Sequence, residues 1–306
     1  MQATLRTAVR FEGQGLHSGV QTRMVVRPAP VGHGIVFCRT DVIGNNAVIP
    51  ARFDLVQHKP LCTLLVNEAG VEVQTVEHIM AALAGCGIGN ATIEISAAEV
   101  PIMDGCSATF VRAFVAAGIV AQRAPLQAIE ILRPVMIEEN DSVAMLTPAD
   151  SLEIDFHIEF SDAAIGLQSK ALNMANGTFV RELSDSRTFC RKADIDAMHA
   201  KGLALGGTYE NAVVVDGDTV VSPGGLRHSD EAVRHKMLDA LGDLALAGAP
   251  ILGRYTGVKA GHAMTNKLLR KLMASEGAYR FVTCTPAQLK ALPGAGVRTA
   301  DLALVA

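Results

Sequence analysis

The sequence predicts an α+β protein built from two similar two-layer α/β sandwich domains, and three observations lead there. The chain has 306 residues, more than one hydrophobic core usually organises, so two units of ordinary size are the default. Each half gives short extended segments with two helices to lay against them. One helical unit also occurs twice: the stretches Thr75–Gly85 and Val233–Gly242 carry Val, His, Met and Gly at the same offsets. Such self-similarity at long separation suggests two related halves. Ala121-Gln122-Arg123-Ala124-Pro125 reads as the linker between them, which places the domains at 1–124 and 125–306.

In chain order, Gly13-Gln14-Gly15-Leu16-His17-Ser18-Gly19 is a glycine-rich loop that lacks dinucleotide or P-loop spacing, so a hairpin connection is its first reading. Strands are expected at Gln21–Arg27, Gly34–Cys38, Cys62–Glu68 and Ala91–Ser96. A helix begins at Thr75 and ends at the Gly85-Cys86-Gly87-Ile88-Gly89 run. Pro101-Ile102-Met103-Asp104-Gly105 reads as a turn, followed by a helix from Ser107, as N-cap, to Ala117. Past the linker, Ile129–Leu132 and Val135–Glu138 open a new strand set. Leu152–Phe160 alternates strictly between apolar and charged residues, with His157 on the charged, solvent-facing side. A helix near Lys192–Lys201, a hairpin over Ala212–Val221, a long helix from Ser229 to Gly248 and a last helix over Gly261–Ser275 complete the second half.

Composition narrows the class. With 49% hydrophobic and 19% charged residues, the chain suits a well-buried globular enzyme and not a disordered one. Net charge is −4, the basic residues are dispersed and Trp is absent, so no nucleic-acid partner is expected. No apolar run is long enough to span a bilayer and the first residues lack a signal-like apolar region, so a cytoplasmic protein is expected, and a monomer. The six cysteines are scattered without a Cys-x-x-Cys pair and are read as free thiols.

The long helix carries the chemistry. Ser229 suits its N-cap, Asp230 and Glu231 suit the positive end of its dipole, and Gly248 followed by Pro250 supplies the stop. His235, Asp239 and Asp243 are spaced four and four and so share one stripe. A His four residues before an Asp is either a surface ion pair or half of a metal site. Val233, Met237, Leu238, Leu241 and Leu244 cover the adjacent faces, so the stripe borders a buried surface. The upstream copy adds His78 and, beside it, Glu77. Pooled, the two copies hold two imidazoles, one carboxylate and a spare Glu, the inventory of a three-ligand catalytic zinc site with an open position and a general base.

Beyond these residues the chain resembles the zinc-dependent UDP-3-O-acyl-N-acetylglucosamine deacetylases, the LpxC family, from Arg6-Thr7 to the helix after His262. The resemblance rests on Gly15–Gly19, Leu61-Cys62-Thr63, Thr75–His78, Pro101–Gly105, Ser186–Phe189, Val233–Asp239 with Gly242-Asp243, and Gly261-His262. It implies two similar α+β domains with helices packed between the sheets and an active site at their junction. It implies hydrolysis of the N-acetyl group of a small glycolipid nucleotide, UDP-3-O-acyl-N-acetylglucosamine, in the committed step of lipid A biosynthesis. His78, His235 and Asp239 would bind one catalytic Zn2+, with Fe2+ competing for the same ligands, and Glu77 would be the general base. Thr188 would donate to the oxyanion, and His262, kept protonated by Asp243, would serve the leaving amine. Lys236 would be a substrate ligand, Lys259 would meet the diphosphate, and Leu61, Cys62 and Thr63 would line the substrate. Phe189, Ile195 and Tyr209 would lie near the substrate or its acyl chain, although core packing explains apolar residues equally well. Gly89, Cys106, Cys190, Arg191 and Thr265 depart from the family pattern. None is a metal or proton-transfer position, and they bear on the shape of the acyl passage.

Two rivals make distinct demands. A two-metal phosphohydrolase would need further carboxylate ligands or an adjacent His-Asp pair, and a glycolipid-binding scaffold would have lost one of Glu77, His78, His235 or Asp239. All four are present.

Overall fold

The alternation at 152–160 produces what the pleat requires: in the strand Leu152–Glu159 the side chains of Leu152, Ile154, Phe156 and Ile158 are buried while those between them are more open. In the computed structural model, which describes residues 1–304, this strand runs parallel to Ile251–Val258 and antiparallel to Leu167–Asn173. The three join Val135–Glu139, Ser142–Thr147, Gln127–Ile131 and Tyr279–Thr283 in a seven-stranded sheet. A five-stranded sheet precedes it in the chain, in the order Val9–Gln14, Gln21–Pro28, Ala91–Ile95, Ile35–Arg39, Val48–Pro50. Ile35–Arg39 and Ala91–Ile95 are parallel in it.

Two small sheets of three strands each are separate from these large ones. Val56–Gln57, Leu64–Val66 and Glu72–Gln74 form one, Phe189–Arg191, Val213–Asp216 and Thr219–Val220 the other. At the linker, Ile119–Ala121 pairs antiparallel with Ala3–Leu5. The α+β class follows from these sheets and from six α-helices among the described residues: α1 (Glu77–Gly85), α2 (Ala108–Ala117), α3 (Ile195–Ala200), α4 (Glu231–Ala245), α5 (His262–Ala274) and α6 (Pro286–Ala291).

Helices α4 and α5 pack on the seven-stranded sheet, α2 packs on the strand Val9–Gln14, and α1 packs against both α2 and α4. The α1–α4 contact is close because α4 has glycine where the two cross: a Cβ on Gly242 would stand 2.0 Å from the Glu77 carbonyl oxygen. The duplicated glycine in α1, Gly85, makes room for the Phe179 ring in the same way. One contiguous apolar cluster joins Phe37, Ile79, Met80 and Phe110 to Met237, Leu241, Tyr255 and Leu268. Among the described residues no helix is long and apolar enough to cross a membrane.

The hairpin reading of the glycine-rich loop holds: Gly13–Gly19 leads from Val9–Gln14 into its antiparallel partner Gln21–Pro28. Its backbone N–H groups at His17 and Ser18 are taken by the Glu99 carboxylate at 2.8 and 2.7 Å. The helix ends differ from the sequence expectation. Helix α4 starts at Glu231 after Asp230, not at Ser229, and the Val233 N–H finds its acceptor on Gln168 of the neighbouring strand at 3.0 Å. Ser107 precedes α2 without capping it, because its hydroxyl donates to the His78 carbonyl at 2.8 Å. The segment 192–201 divides into a 3-10 turn, Lys192–Asp194, and α3. Helix α6, with a capping box between Thr285 and Gln288, lies beyond the last predicted helix.

Candidate metal centre

The duplicated helices meet at their duplicated histidines. The rings of His78 on α1 and His235 on α4 stand edge to face, centroids 5.0 Å apart. Asp239, one turn beyond His235, points an oxygen between them: its Oδ1 is 3.6 Å from His78 Nε2 and 3.3 Å from His235 Nε2. All three residues are buried, and their ligand atoms lie within 4.8 Å of one another. Asp239 Oδ1 is itself buried with no hydrogen-bond partner among the described residues. A carboxylate oxygen in that condition is costly unless a cation completes it. Two nitrogen donors and one oxygen donor at this spacing could hold a metal ion.

Surrounding groups fix the donors. His235 Nδ1 donates to the Ser186 carbonyl at 3.0 Å, which leaves Nε2 free for a metal. Burial, which outweighs the Asp239 charge, lowers the His235 pKa to about 4, so the ring is neutral, as a ligand must be. Burial alone would raise the Asp239 carboxyl. The surrounding donors, with the Lys236 ammonium 2.9 Å from Oδ2 as the standing positive charge, prevail and hold it well below the usual carboxylate range. The same carboxylate keeps the partly buried Lys236 charged, its pKa raised against the effect of desolvation.

A second cluster adjoins the first. Glu77, which begins α1, is buried, and desolvation pushes its carboxyl up. Its Oε2 accepts the Thr63 N–H at 3.0 Å, and its Oε1 is 3.8 Å from His262 Nε2. His262 begins α5, and its Nδ1 is 2.8 Å from Asp243 Oδ2. Burial would lower its pKa, but Asp243 and Glu77 win and raise it to about 9. The Thr63 hydroxyl donates to the other Asp243 oxygen at 2.6 Å. Thr63 thus ties the carboxylate of α1 to that of α4, a scaffolding part that a substrate-contact reading of Leu61-Cys62-Thr63 does not anticipate. Cys62 beside it is buried and its thiol pKa is raised, chiefly by burial, so it is not a nucleophile at neutral pH.

The remaining residues are placed at varying distance from this pair of clusters. Phe189 packs edge-on to His235, centroids 6.3 Å apart, and to Phe160 at 5.3 Å. Thr188 sits between it and Ser186, its backbone held by the Gly105 carbonyl at 2.8 Å. Leu61 is half exposed in a left-handed conformation, φ 68°. Ile195 starts α3, and Tyr209 is exposed on the loop after it. Lys259 lies three residues before His262 with its ammonium 2.9 Å from Asp141 and 2.5 Å from Glu159, so it is paired with carboxylates.

The family model described as LpxC, UDP-3-O-acyl N-acetylglycosamine deacetylase, matches residues 2–274. The chain is 47% identical over 282 residues to the UDP-3-O-acyl-N-acetylglucosamine deacetylase of Phenylobacterium zucineum, covering 92% of this chain and 96% of that one. It is 44% identical over 284 residues to the proteins of the same name from Shewanella sp. strain W3-18-1 and Shewanella baltica strain OS155, covering 92% of each chain.

Proposed function

Because this chain belongs to the LpxC family of UDP-3-O-acyl N-acetylglycosamine deacetylases, we propose that it hydrolyses the N-acetyl amide of UDP-3-O-acyl-N-acetylglucosamine, releasing acetate, with one zinc ion held by His78, His235 and Asp239. This is the committed step of lipid A biosynthesis, placed in the cytoplasm. The observation that carries the reading is the buried, unpartnered Oδ1 of Asp239 beside the Nε2 atoms of two imidazoles. Zinc in that position supplies Lewis acidity, polarising a carbonyl and making water acidic enough to ionise near neutral pH.

The chain's own groups manage the protons. Glu77 takes the proton of the attacking water: desolvation makes it a stronger base than an exposed carboxylate, and the Thr63 N–H fixes one oxygen so that the other can turn to the substrate. His262 keeps a proton on Nε2 through its bond to Asp243 and delivers it to the departing amine. Lys236 offers N–H groups at the edge of the ligand carboxylate, and Thr188 offers a hydroxyl to the developing oxyanion. By the family's motifs Leu61, Cys62 and Thr63 line the substrate, and Phe189, Ile195 and Tyr209 lie near the substrate or its acyl chain. Lys259 meets the diphosphate on exchanging its two carboxylate partners.

The test is acetate release by protein stripped with a chelator and titrated back with zinc, and activity should return near one equivalent. Glu77→Gln should bind zinc as the parent does and lose about two to four orders of magnitude in turnover. Parent-like turnover in that variant would remove Glu77 from the chemistry, and no acetate at any zinc load would sink the assignment.

A further inference from the structure

Glu231 and His235 stand one turn apart on α4, and both side chains reach the same stretch of backbone. His235 Nδ1 donates to the carbonyl of Ser186 at 3.0 Å. The Glu231 carboxylate accepts the N–H of the next residue, Arg187, at 2.9 Å. It also accepts Arg187 Nε at 2.9 Å and Nη2 at 3.1 Å, and the backbone N–H of Arg227 at 2.7 Å. Arg187 Nη2 continues to the Gly225 carbonyl at 2.6 Å. Glu231 is 1% exposed and Arg187 5% exposed.

A glutamate in the first turn of a helix is ordinarily a solvated partner of the dipole. This one is buried and saturated with donors, at the point where the segment 186–189 passes α4. Asp230, the residue before it, serves Lys170 and Arg234 instead. The carboxylate and the imidazole thus grip the two sides of one peptide unit, that between Ser186 and Arg187, just ahead of the strand Phe189–Arg191. We infer that Glu231, with Arg187, is a positioning residue for the metal centre: by holding the Arg187 backbone it presents the Ser186 carbonyl to His235 and fixes the ring in the orientation that leaves Nε2 to the metal. The inference rests on the reading of His78, His235 and Asp239 as the metal ligands. Groups that orient a ligating histidine are worth on the order of 10–100-fold in metal affinity. The same grip sets Thr188 and Phe189, the next two residues, against the site.

Competition for zinc between the full-length protein and graded chelator tests this without reference to turnover. Glu231→Ala, which removes the acceptor, should bind zinc about 10–100-fold more weakly. Glu231→Gln should recover part of that loss, because its amide oxygen can still accept the Arg187 N–H. If the alanine variant does not fold, Glu231→Asp, whose acceptor is withdrawn by one methylene, should show the same loss against Glu231→Gln. Variants that fold with lowered melting temperature yet hold zinc as the parent does overturn the inference and leave Glu231 a purely structural residue. A parent that takes up no zinc overturns instead the reading of the centre on which the inference rests.

Discussion

Glu99 shows how one side chain supports a site that it does not enter. Its buried carboxylate takes the backbone N–H groups of His17 and Ser18 and the Thr75 hydroxyl, the last at 2.8 Å. Thr75 has φ 58°, a conformation that costs a β-branched residue about 1–3 kcal/mol, and it stands two residues before Glu77. Burial would raise the Glu99 carboxyl, but the hydrogen bonds from His17 and Ser18 outweigh it and hold the pKa below the ordinary glutamate value. With the folded pKa below the unfolded one, near 4.3, the carboxylate's contribution to stability is complete above that pH and is lost as pH falls through the folded value. Glu99→Gln should therefore cost about 1–3 kcal/mol at neutral pH and flatten the decline in melting temperature below about pH 4. Parallel melting curves across that range would contradict it. Nothing in the sequence marks Glu99, since its partners lie 24 to 82 positions away. The candidate ligands His78, His235 and Asp239 were legible because two lie on one helical stripe and the third in a recognisable copy of it.

At the scale of the element, the α1–α4 crossing is the part that cannot give. Gly242 lets the Glu77 carbonyl rest against α4, where a Cβ would meet it at 2.0 Å. Backbone, not a flexible side chain, is the obstacle, so Gly242→Ala must push the helices apart. We expect a loss of about 3 kcal/mol in stability and weaker metal binding, since the move separates His78 from His235. A calorimetric melt and a zinc titration on the same sample check it. Unchanged affinity at lowered stability would mean that the crossing can open without disturbing the ligands. The helices themselves were largely legible: α1, α2, α4 and α5 fall within two or three residues of their expected ends. The errors have tertiary causes. Ser107 is drawn off its capping role by the His78 carbonyl, and Gln168 supplies the acceptor expected of Ser229. Glu231, read from sequence as a dipole acid, is instead fully paired with Arg187. The capping box of α6 is local, spelled by Thr285-Pro286 and Gln288, and is therefore legible in the sequence.

For the whole molecule, the α+β class was legible from the mixture of elements, whereas the pairing of strands was not. Ile251–Val258, for example, is the partner of three strands that precede it by a hundred residues or more in the chain. The candidate metal ligands are likewise shared between distant elements, α1 and α4. Metal removal should therefore be felt globally: at free zinc 100-fold above its dissociation constant, the bound ion adds about 2.7 kcal/mol to unfolding. A chelator should lower the melting temperature by several degrees, and superimposable melts with and without zinc would show that the centre is not occupied. The separation of the ligands has a kinetic side. His78 and His235 are divided by roughly 150 residues, so an ion bound to both closes a very long loop, and a cross-link of that span removes about 4–5 kcal/mol of freedom from the unfolded chain. During synthesis His78 leaves the ribosome long before Asp239 exists. A growing chain can offer the ion one imidazole at most until α4 has been made and has found α1. Metal uptake then becomes a record of completed assembly, and a chain released early from the ribosome would carry none.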